Sequence, residues 1–251
     1  VSDAPLTFYE FFAGGGMARA GLGDGWRCLF ANDLDPKKAA VYRENFGGDQ
    51  LLCGDVGKLT TADLPGRADL AWASFPCQDL SLAGYRAGLG EAASPVPSRS
   101  GTFWPFWLLM TQLRAEGRAP RAIVLENVFG ALTSRGGQDF ASIGAALADG
   151  GYRFGAMVID AVRFVPQSRP RVFFVAADAG LDVPRDLSHS EASPAWHPTA
   201  LLQAYADLPS PTKAKWLWWH PPLPSDLVGT LSELIEPQPV GVRWHTPEET
   251  D

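Results

Sequence analysis

An apolar run, Asp69-Leu70-Ala71-Trp72-Ala73, gives way to Ser74-Phe75-Pro76-Cys77-Gln78, and this junction constrains the chain more than any other stretch. The run reads as a buried strand. Pro76 fixes φ and carries no amide hydrogen, so strand pairing stops where the cysteine begins. A thiol at that point is displayed on a rigid turn at the strand's carboxyl end, the edge where open α/β sheets bind their ligands. Taken alone, a cysteine is more often a small buried hydrophobe. Its company favours display. Phe11-Phe12-Ala13-Gly14-Gly15-Gly16 follows a first short strand, Asn32-Asp33-Leu34-Asp35 a second and Gly54-Asp55-Val56 a third, while Glu126-Asn127-Val128 and Gln167-Ser168-Arg169-Pro170-Arg171 lie downstream.

A chain of 251 residues with 46% hydrophobic residues can hold one large α/β domain with a real core and a small appendage. Its three cysteines, Cys28, Cys53 and Cys77, are odd in number and widely spaced, which argues against a disulfide framework and for a reducing cytoplasm. Cys28 and Cys53 lie in apolar runs and read as inert core residues. No apolar segment approaches the ~18 to 20 residues of a membrane span, and there is no basic-then-apolar leader. A soluble intracellular protein without a metal is expected. The net charge of −7 sits poorly with nucleic-acid binding, because Lys and Arg contacts to phosphate dominate such affinity.

Taken in order, Leu6 to Phe12 is rich in aromatics and reads as the first strand, broken by three glycines. These let the backbone turn sharply and approach a ligand, and a helix from Met17 to about Leu22 offers its N-terminal amides. A glycine turn by itself fits a plain loop as well as a nucleotide cofactor. The second strand, Trp26 to Ala31, ends in Asn32-Asp33, where a carboxylate would hold a ribose diol. Asp35, followed by Pro36, starts a helix from Lys37 to Asn45, a capping role that accounts for it fully. Asp33 is therefore the expected ribose ligand and Asp35 the cap. Asp79 to Gly101 has no period and is rich in Gly, Pro and Ser, a length of loop that is usually functional or disordered. A helix begins at Phe103 and runs to about Glu116, its aromatics read as core. Ala122 to Asn127 reads as a buried strand ending in Glu126, an acid that costs free energy unless paired or neutral. A structural salt bridge to an arginine and a functional acid both remain open there. A helix from about Gln138 to Ala148 follows, then strands near Phe154 to Ala161 and Arg171 to Ala177, whose short link predicts antiparallel neighbours.

These motifs, in this order over roughly residues 6 to 177, resemble the cytosine-C5 methyltransferase family, whose hallmarks include Pro-Cys-Gln, Glu-Asn-Val and Gln-x-Arg-x-Arg at strand ends. The resemblance implies a doubly wound, mostly parallel α/β sheet of the Rossmann-like methyltransferase kind, with an antiparallel strand near one edge. It implies S-adenosylmethionine as cofactor, lodged against Phe12, Gly14, Gly16, Asp33, Leu34, Val56, Pro76 and Phe103, with Asp55 accepting from the adenine amino group. It implies duplex DNA as partner, met by Gln78, Ser81, Arg86 and Arg99 in a segment that closes over it. Two departures occur: Ser74 stands where the family has Gly, and one residue separates Arg99 from Gly101-Thr102 where many relatives have none.

The chemistry follows from the substrate. Cytosine C5 is a poor nucleophile, and a thiolate adding to C6 converts it to an enamine carbon. Cys77 is the expected nucleophile. Charge developing at N3 calls for a carboxyl raised in pKa by burial, assigned to Glu126. Arg171 would hold the base oxygen and orient Glu126, with Arg169 nearby, Gln167 fixing the turn and Asn127 tethering the cysteine loop. The base must leave the duplex to reach such a pocket, and the cations Arg86, Arg99, Arg169 and Arg171 fall in segments near it, against the acidic average. The rival readings are a tRNA cytosine-C5 methyltransferase and a non-catalytic regulatory or DNA-binding subunit, the second disfavoured by the intact Cys77, Glu126 and Arg171. Residues 1–177 are expected to form the catalytic and cofactor domain. Residues 178–251, with Trp196, Trp216, Trp218, Trp219 and Trp244, are expected to begin a hinge and target-recognition region, in which Trp216-Leu217-Trp218-Trp219 reads as a packing strand in preference to an interaction surface. The family's later Arg-Glu and Gly-Asn-Ser motifs have no match after Ala177, so a further C-terminal segment, in the same chain or a second subunit, is expected to complete the enzyme.

Overall fold

The computed structural model describes residues 4–76, 102–224, 229–244 and 246. Its first strand, β1 (Leu6–Phe11), runs into the glycine turn and α1 (Met17–Leu22); β2 (Trp26–Asp33) leads to α2 (Pro36–Phe46), and β3 (Leu51–Cys53) to two short 3-10 turns, Val56–Lys58 and Thr61–Asp63. Then come β4 (Leu70–Ala73), α3 (Phe103–Ala115), β5 (Ala122–Val128), α4 (Gln138–Asp149), β6 (Tyr152–Asp160) and β7 (Pro170–Asp178). Among the described residues these strands form one sheet in the order β3-β2-β1-β4-β5-β7-β6. Neighbours from β3 to β5 are parallel, and β7 runs antiparallel to β5. The expected fold class is therefore the observed one, with the antiparallel strand next to the edge.

The sheet's two faces explain the apolar sequence of its strands, since a parallel sheet is covered on both sides. Tyr9, Phe11, Phe30, Ala71, Ala73, Ile123, Leu125, Val172 and Phe174 form one side of a core closed by Phe103, Phe106, Met110 and Leu113 of α3 and Phe140, Ile143 and Leu147 of α4. The opposite face gathers Phe8, Cys28, Ala31 and Leu70 against Ala39 and Tyr42 of α2. Asp35 caps α2 by accepting from the Lys37 amide at 2.8 Å, with Pro36 in the first turn. Cys28 is a core residue, but Cys53 is exposed. The correction has a plain cause: β3 is an edge strand of three residues, and its last side chain has no further strand or helix to cover it.

The expected division at residue 177 also differs from the packing. One compact unit comprises residues 1–159 and 170–222, and a second comprises 160–169 and 223–251. Beyond β7 the first unit adds a two-stranded ribbon of β8 (Ser188–His189) and β9 (Trp218–Trp219), with α5 (Thr199–Ala206) and α6 (Ser210–Lys213) between them. Trp196 and Trp219 bury themselves against Met157 of β6 and Ala177 of β7. The Phe154 amide donates to the Lys215 carbonyl at 2.9 Å and the Leu217 amide to the Phe154 carbonyl at 2.6 Å. The tryptophan run read as a packing strand thus packs, and it does so on the core of the first unit. In the second unit, the described part of the C-terminal stretch holds one short helix, α7 (Leu231–Leu234), opened by a Thr230–Glu233 capping box.

Candidate functional site

Because β1 to β5 are parallel, their carboxyl ends lie along one edge of the sheet; β7, running the other way, brings its amino end there. The glycine turn is built at that edge. Phe12 has φ of 57°, unusual for a residue with a side chain, and Gly14 and Gly16 follow at 56° and 87°. Asp33, 6% exposed, braces this turn: its Oδ2 accepts from the Gly14 amide at 2.7 Å and its Oδ1 from the Asp35 amide at 2.8 Å. Each carboxylate oxygen has two lone pairs, so one on each remains for hydroxyl donors. Leu34, beside it, is 68% exposed, an apolar plate with little protein over it. Asp55 uses Oδ1 to cap the turn Val56–Lys58 through the Gly57 amide at 2.9 Å, and Oδ2 takes no partner among the described residues. Val56 is buried behind it.

An acceptor for a diol, an acceptor for an amino group, an exposed apolar plate and a glycine turn before a helix together fit an adenosyl group. Phe103, which the resemblance also names for that pocket, is fully buried, stacked on Trp107 at 6.1 Å and tilted against Phe75 at 5.5 Å. A groove of about 450 Å³ is lined by Val56 and Gly57 of the turn that Asp55 caps, together with Leu59, Thr60, Leu108 and Gln112.

The other half of the edge holds the acid. Asn127 and Glu126 end β5, where Glu126 pairs in register with Phe173 and Val128 with Arg171. That diagonal across an antiparallel ladder brings Arg171 Nε to 3.1 Å from Glu126 Oε1, both side chains about a quarter exposed or less. Arg171 Nη1 also donates to the Pro170 carbonyl at 2.9 Å. Glu126 Oε2 and Arg171 Nη2 have no partner among the described residues. Asn127, 2% exposed, donates from Nδ2 to the Phe75 carbonyl at 3.2 Å and accepts from the Val128 amide at 2.8 Å. This ties the end of β5 to the residue before Pro76, which is itself exposed. The Ser74 amide donates to the Phe11 carbonyl at 3.3 Å, so the same segment is also fastened to β1. Cys77, Gln78, Ser81, Arg86 and Arg99 lie outside the described residues.

Gln167 and Arg169 belong to the second unit, in an exposed turn that is closed by an acid the sequence reading passed over. Asp160 accepts from the Val162 amide at 3.1 Å and the Arg169 amide at 2.6 Å, and from the Ser168 hydroxyl at 2.9 Å. Those donors hold its carboxyl below the usual range. A second overlooked acid, Glu10, is 1% exposed within β1. The available signal for both was an acid next to or inside an apolar strand, where only a specific partner makes it tolerable. Among the described residues no group of His, Cys, Asp and Glu could hold a metal, and no helix is long and apolar enough to cross a membrane.

Comparison with known proteins places this geometry. The type II methyltransferase M.BsuFI of Bacillus subtilis is 32% identical over 192 residues, which are 75% of this chain and 43% of that protein. M.NlaX of Neisseria lactamica is 30% identical over 79% of this chain and 60% of its own length. The chain thus spans roughly half the length of these relatives. Among solved structures, S. pombe Dnmt2 methyltransferase superposes with a TM-score of 0.55 at 20% identity, covering 72% of this chain and 52% of that one. A putative DNA modification methyltransferase from an E. coli prophage gives 0.53 at 21%, over 71% and 49%. At those identities the likeness concerns the fold. The family model for C-5 cytosine-specific DNA methylases matches residues 6–218, a span running from the first strand through the glycine turn, the braced Pro76 segment and the Glu126–Arg171 pair to β9, and the chain belongs to that family.

Proposed function

We propose that this chain carries the cofactor pocket and the cytosine pocket of an enzyme that methylates C5 of cytosine in duplex DNA. The observation that supports this most is the Glu126–Arg171 pair, 3.1 Å apart, on the same sheet edge as the glycine turn and tied through Asn127 to the Pro76 segment. S-adenosylmethionine, when bound, supplies the electrophilic methyl group. Asp33 would hold its ribose, Asp55 its adenine amino group, and Leu34 and Phe12 its apolar faces.

Cys77 would add through its thiolate sulfur to C6 of a flipped cytosine, forming a carbon–sulfur bond and leaving C5 an enamine carbon. Glu126 would meet the charge that develops at N3, and Arg171 Nη2 the base oxygen, each with an atom that has no partner among the described residues. Once C5 carries the methyl group, loss of the C5 proton restores the C5–C6 double bond and expels the Cys77 thiolate. Arg169 and Gln167 would serve from the turn that Asp160 closes. Gln78, Ser81, Arg86 and Arg99 would meet the DNA backbone. The relatives' additional length leads us to propose also that a further segment, in the same chain or a second one, supplies much of the DNA-reading surface.

A duplex bearing 5-fluorocytosine tests the chemistry, because fluorine cannot leave as the C5 proton does. Incubated with S-adenosylmethionine, the wild type is expected to form a covalent adduct visible by intact mass, and Cys77→Ser none, while the variant still binds the cofactor. Labelled-methyl transfer to tRNA but not to duplex DNA would overturn the choice of substrate. Turnover without any trapped adduct would remove Cys77 from its role.

A further inference from the structure

We propose that Glu10, an acid inside the first strand, seats the glycine turn and the helix after it, so that its ionisation sets how tightly the cofactor is held. The inference rests on the S-adenosylmethionine reading above and deepens it.

The helix α1 has few anchors of its own. None of its six residues is buried, and no side chain caps its start. What holds it is a small polar and aromatic cluster on the α2 side of the sheet. Glu10, 1% exposed, accepts from the Arg19 amide through Oε1 at 3.4 Å and from the Tyr42 hydroxyl through Oε2 at 3.4 Å. Arg19 Nη1 donates to the same Tyr42 hydroxyl at 3.2 Å, and its guanidinium lies 4.8 Å from the centre of the Phe46 ring. Gly16, at the end of the glycine turn, sits against those aromatics so closely that a Cβ there would collide with the Phe46 ring. Turn, helix and α2 therefore meet in one cluster, which the Glu10 carboxylate joins through the Arg19 amide and the Tyr42 hydroxyl.

The titratable and charged groups facing Glu10 are Arg19 from α1, Tyr42 from α2 and, through Tyr42, Cys28 from β2, whose sulfur is 3.6 Å from the Tyr42 oxygen. Burial pushes the Glu10 carboxyl up to about 7, against the Arg19 amide, the Tyr42 hydroxyl and the Arg19 charge, which all favour the ionised form. Burial also raises Tyr42, which stays protonated and a donor at neutral pH. An ionised Glu10 can accept from both partners; a protonated one turns an acceptor oxygen into a donor and loosens one of them. The turn that receives the cofactor is the one seated by the ionised form. By linkage, cofactor binding draws Glu10 towards ionisation and releases a proton.

Titration calorimetry of the full chain with S-adenosylmethionine, in buffers of different ionisation enthalpy, reads this directly. If binding lowers the Glu10 pKa by about one unit, affinity rises about fivefold between pH 6 and 8, and about half a proton is released near pH 6.5. Glu10→Gln, nearly isosteric, is expected to bind with a flat pH profile and no buffer-dependent heat. Tyr42→Phe removes one stabilising donor and should move the inflection to higher pH. S-adenosylhomocysteine, which lacks the sulfonium charge, should show the same dependence, since seating and not charge attraction carries the coupling. A flat wild-type profile, a Glu10→Gln variant that keeps the inflection, or a homocysteine analogue without it would overturn the proposal. A wild type that binds no S-adenosylmethionine at any pH would instead overturn the cofactor reading on which it rests.

Discussion

Asp33 and Asp35 are two positions apart and carry different burdens. Asp35 makes an exposed cap bond to Lys37, so Asp35→Ala should lower stability by about 1 kcal/mol and leave cofactor affinity nearly untouched. Asp33 is nearly buried and spends both oxygens on backbone amides, one of them in the glycine turn. Asp33→Ala should therefore weaken S-adenosylmethionine by at least the roughly 1 to 3 kcal/mol of a charged hydrogen bond, because the turn loses its brace as well. Calorimetric affinities in the reverse order would show the assignment to be wrong. The distinction between the two acids was legible in the sequence, since a proline after an acid marks a cap. That Asp33 supports the turn was not, because the Gly14 amide reaches it only after two strands have paired. The same holds for Glu126 and Arg171: sequence placed each at a strand end, but their diagonal contact comes from the register of β5 and β7. Glu10 escaped notice because one acid among aromatics leaves the strand pattern intact.

At the level of elements, most strands and helices were readable within a residue or two, since glycines, prolines and apolar runs punctuate them. The region after residue 177 was readable only in the packing role of Trp216-Leu217-Trp218-Trp219. Its prolines and tryptophans resemble a new domain, whereas the chain turns back and lays Lys215–Leu217 along β6. Gly155 is the point of closest approach: a Cβ there would run into the Leu217 carbonyl oxygen, a backbone atom that cannot swing aside. Gly155→Ala should cost about 1 to 3 kcal/mol by overpacking. It should also disturb the Phe154–Leu217 and Phe154–Lys215 hydrogen bonds. At roughly 2 to 4 °C per kcal/mol for a chain of this size, the loss is visible in a thermal melt, and a change in tryptophan emission should accompany it as Trp216 and Trp219 shift. An unchanged melt and spectrum would mean that this strip is not held where the hydrogen bonds put it.

Over the whole molecule, two buried groups pull stability in opposite directions with pH. Glu10 is raised to about 7, so between its unfolded value and 7 the native state holds more protons than the unfolded chain, and stability falls as pH rises through that window. His197 is pushed down to about 4 by burial and by the neighbouring His220, so between about 4 and its unfolded value the unfolded chain holds more protons, and stability falls as pH drops. Where the windows overlap, roughly pH 4.5 to 6.5 by their ordinary values, the two slopes should nearly cancel. Urea midpoints should then be flat there for the wild type, fall on acidification in Glu10→Gln, and rise on acidification in His197→Phe; parallel curves for all three would contradict this. The strand order has a bearing on synthesis as well. β1 lies between β2 and β4, so β3, β2, β1 and β4 have all been made by Ala73, whereas α3, which closes one face of them, begins at Phe103. On the ribosome these four strands therefore emerge before the helix that covers their apolar face. Arg171 is made later still, so for a stage of synthesis the nascent chain has the glycine turn and its Asp33 brace but lacks the partner of Glu126.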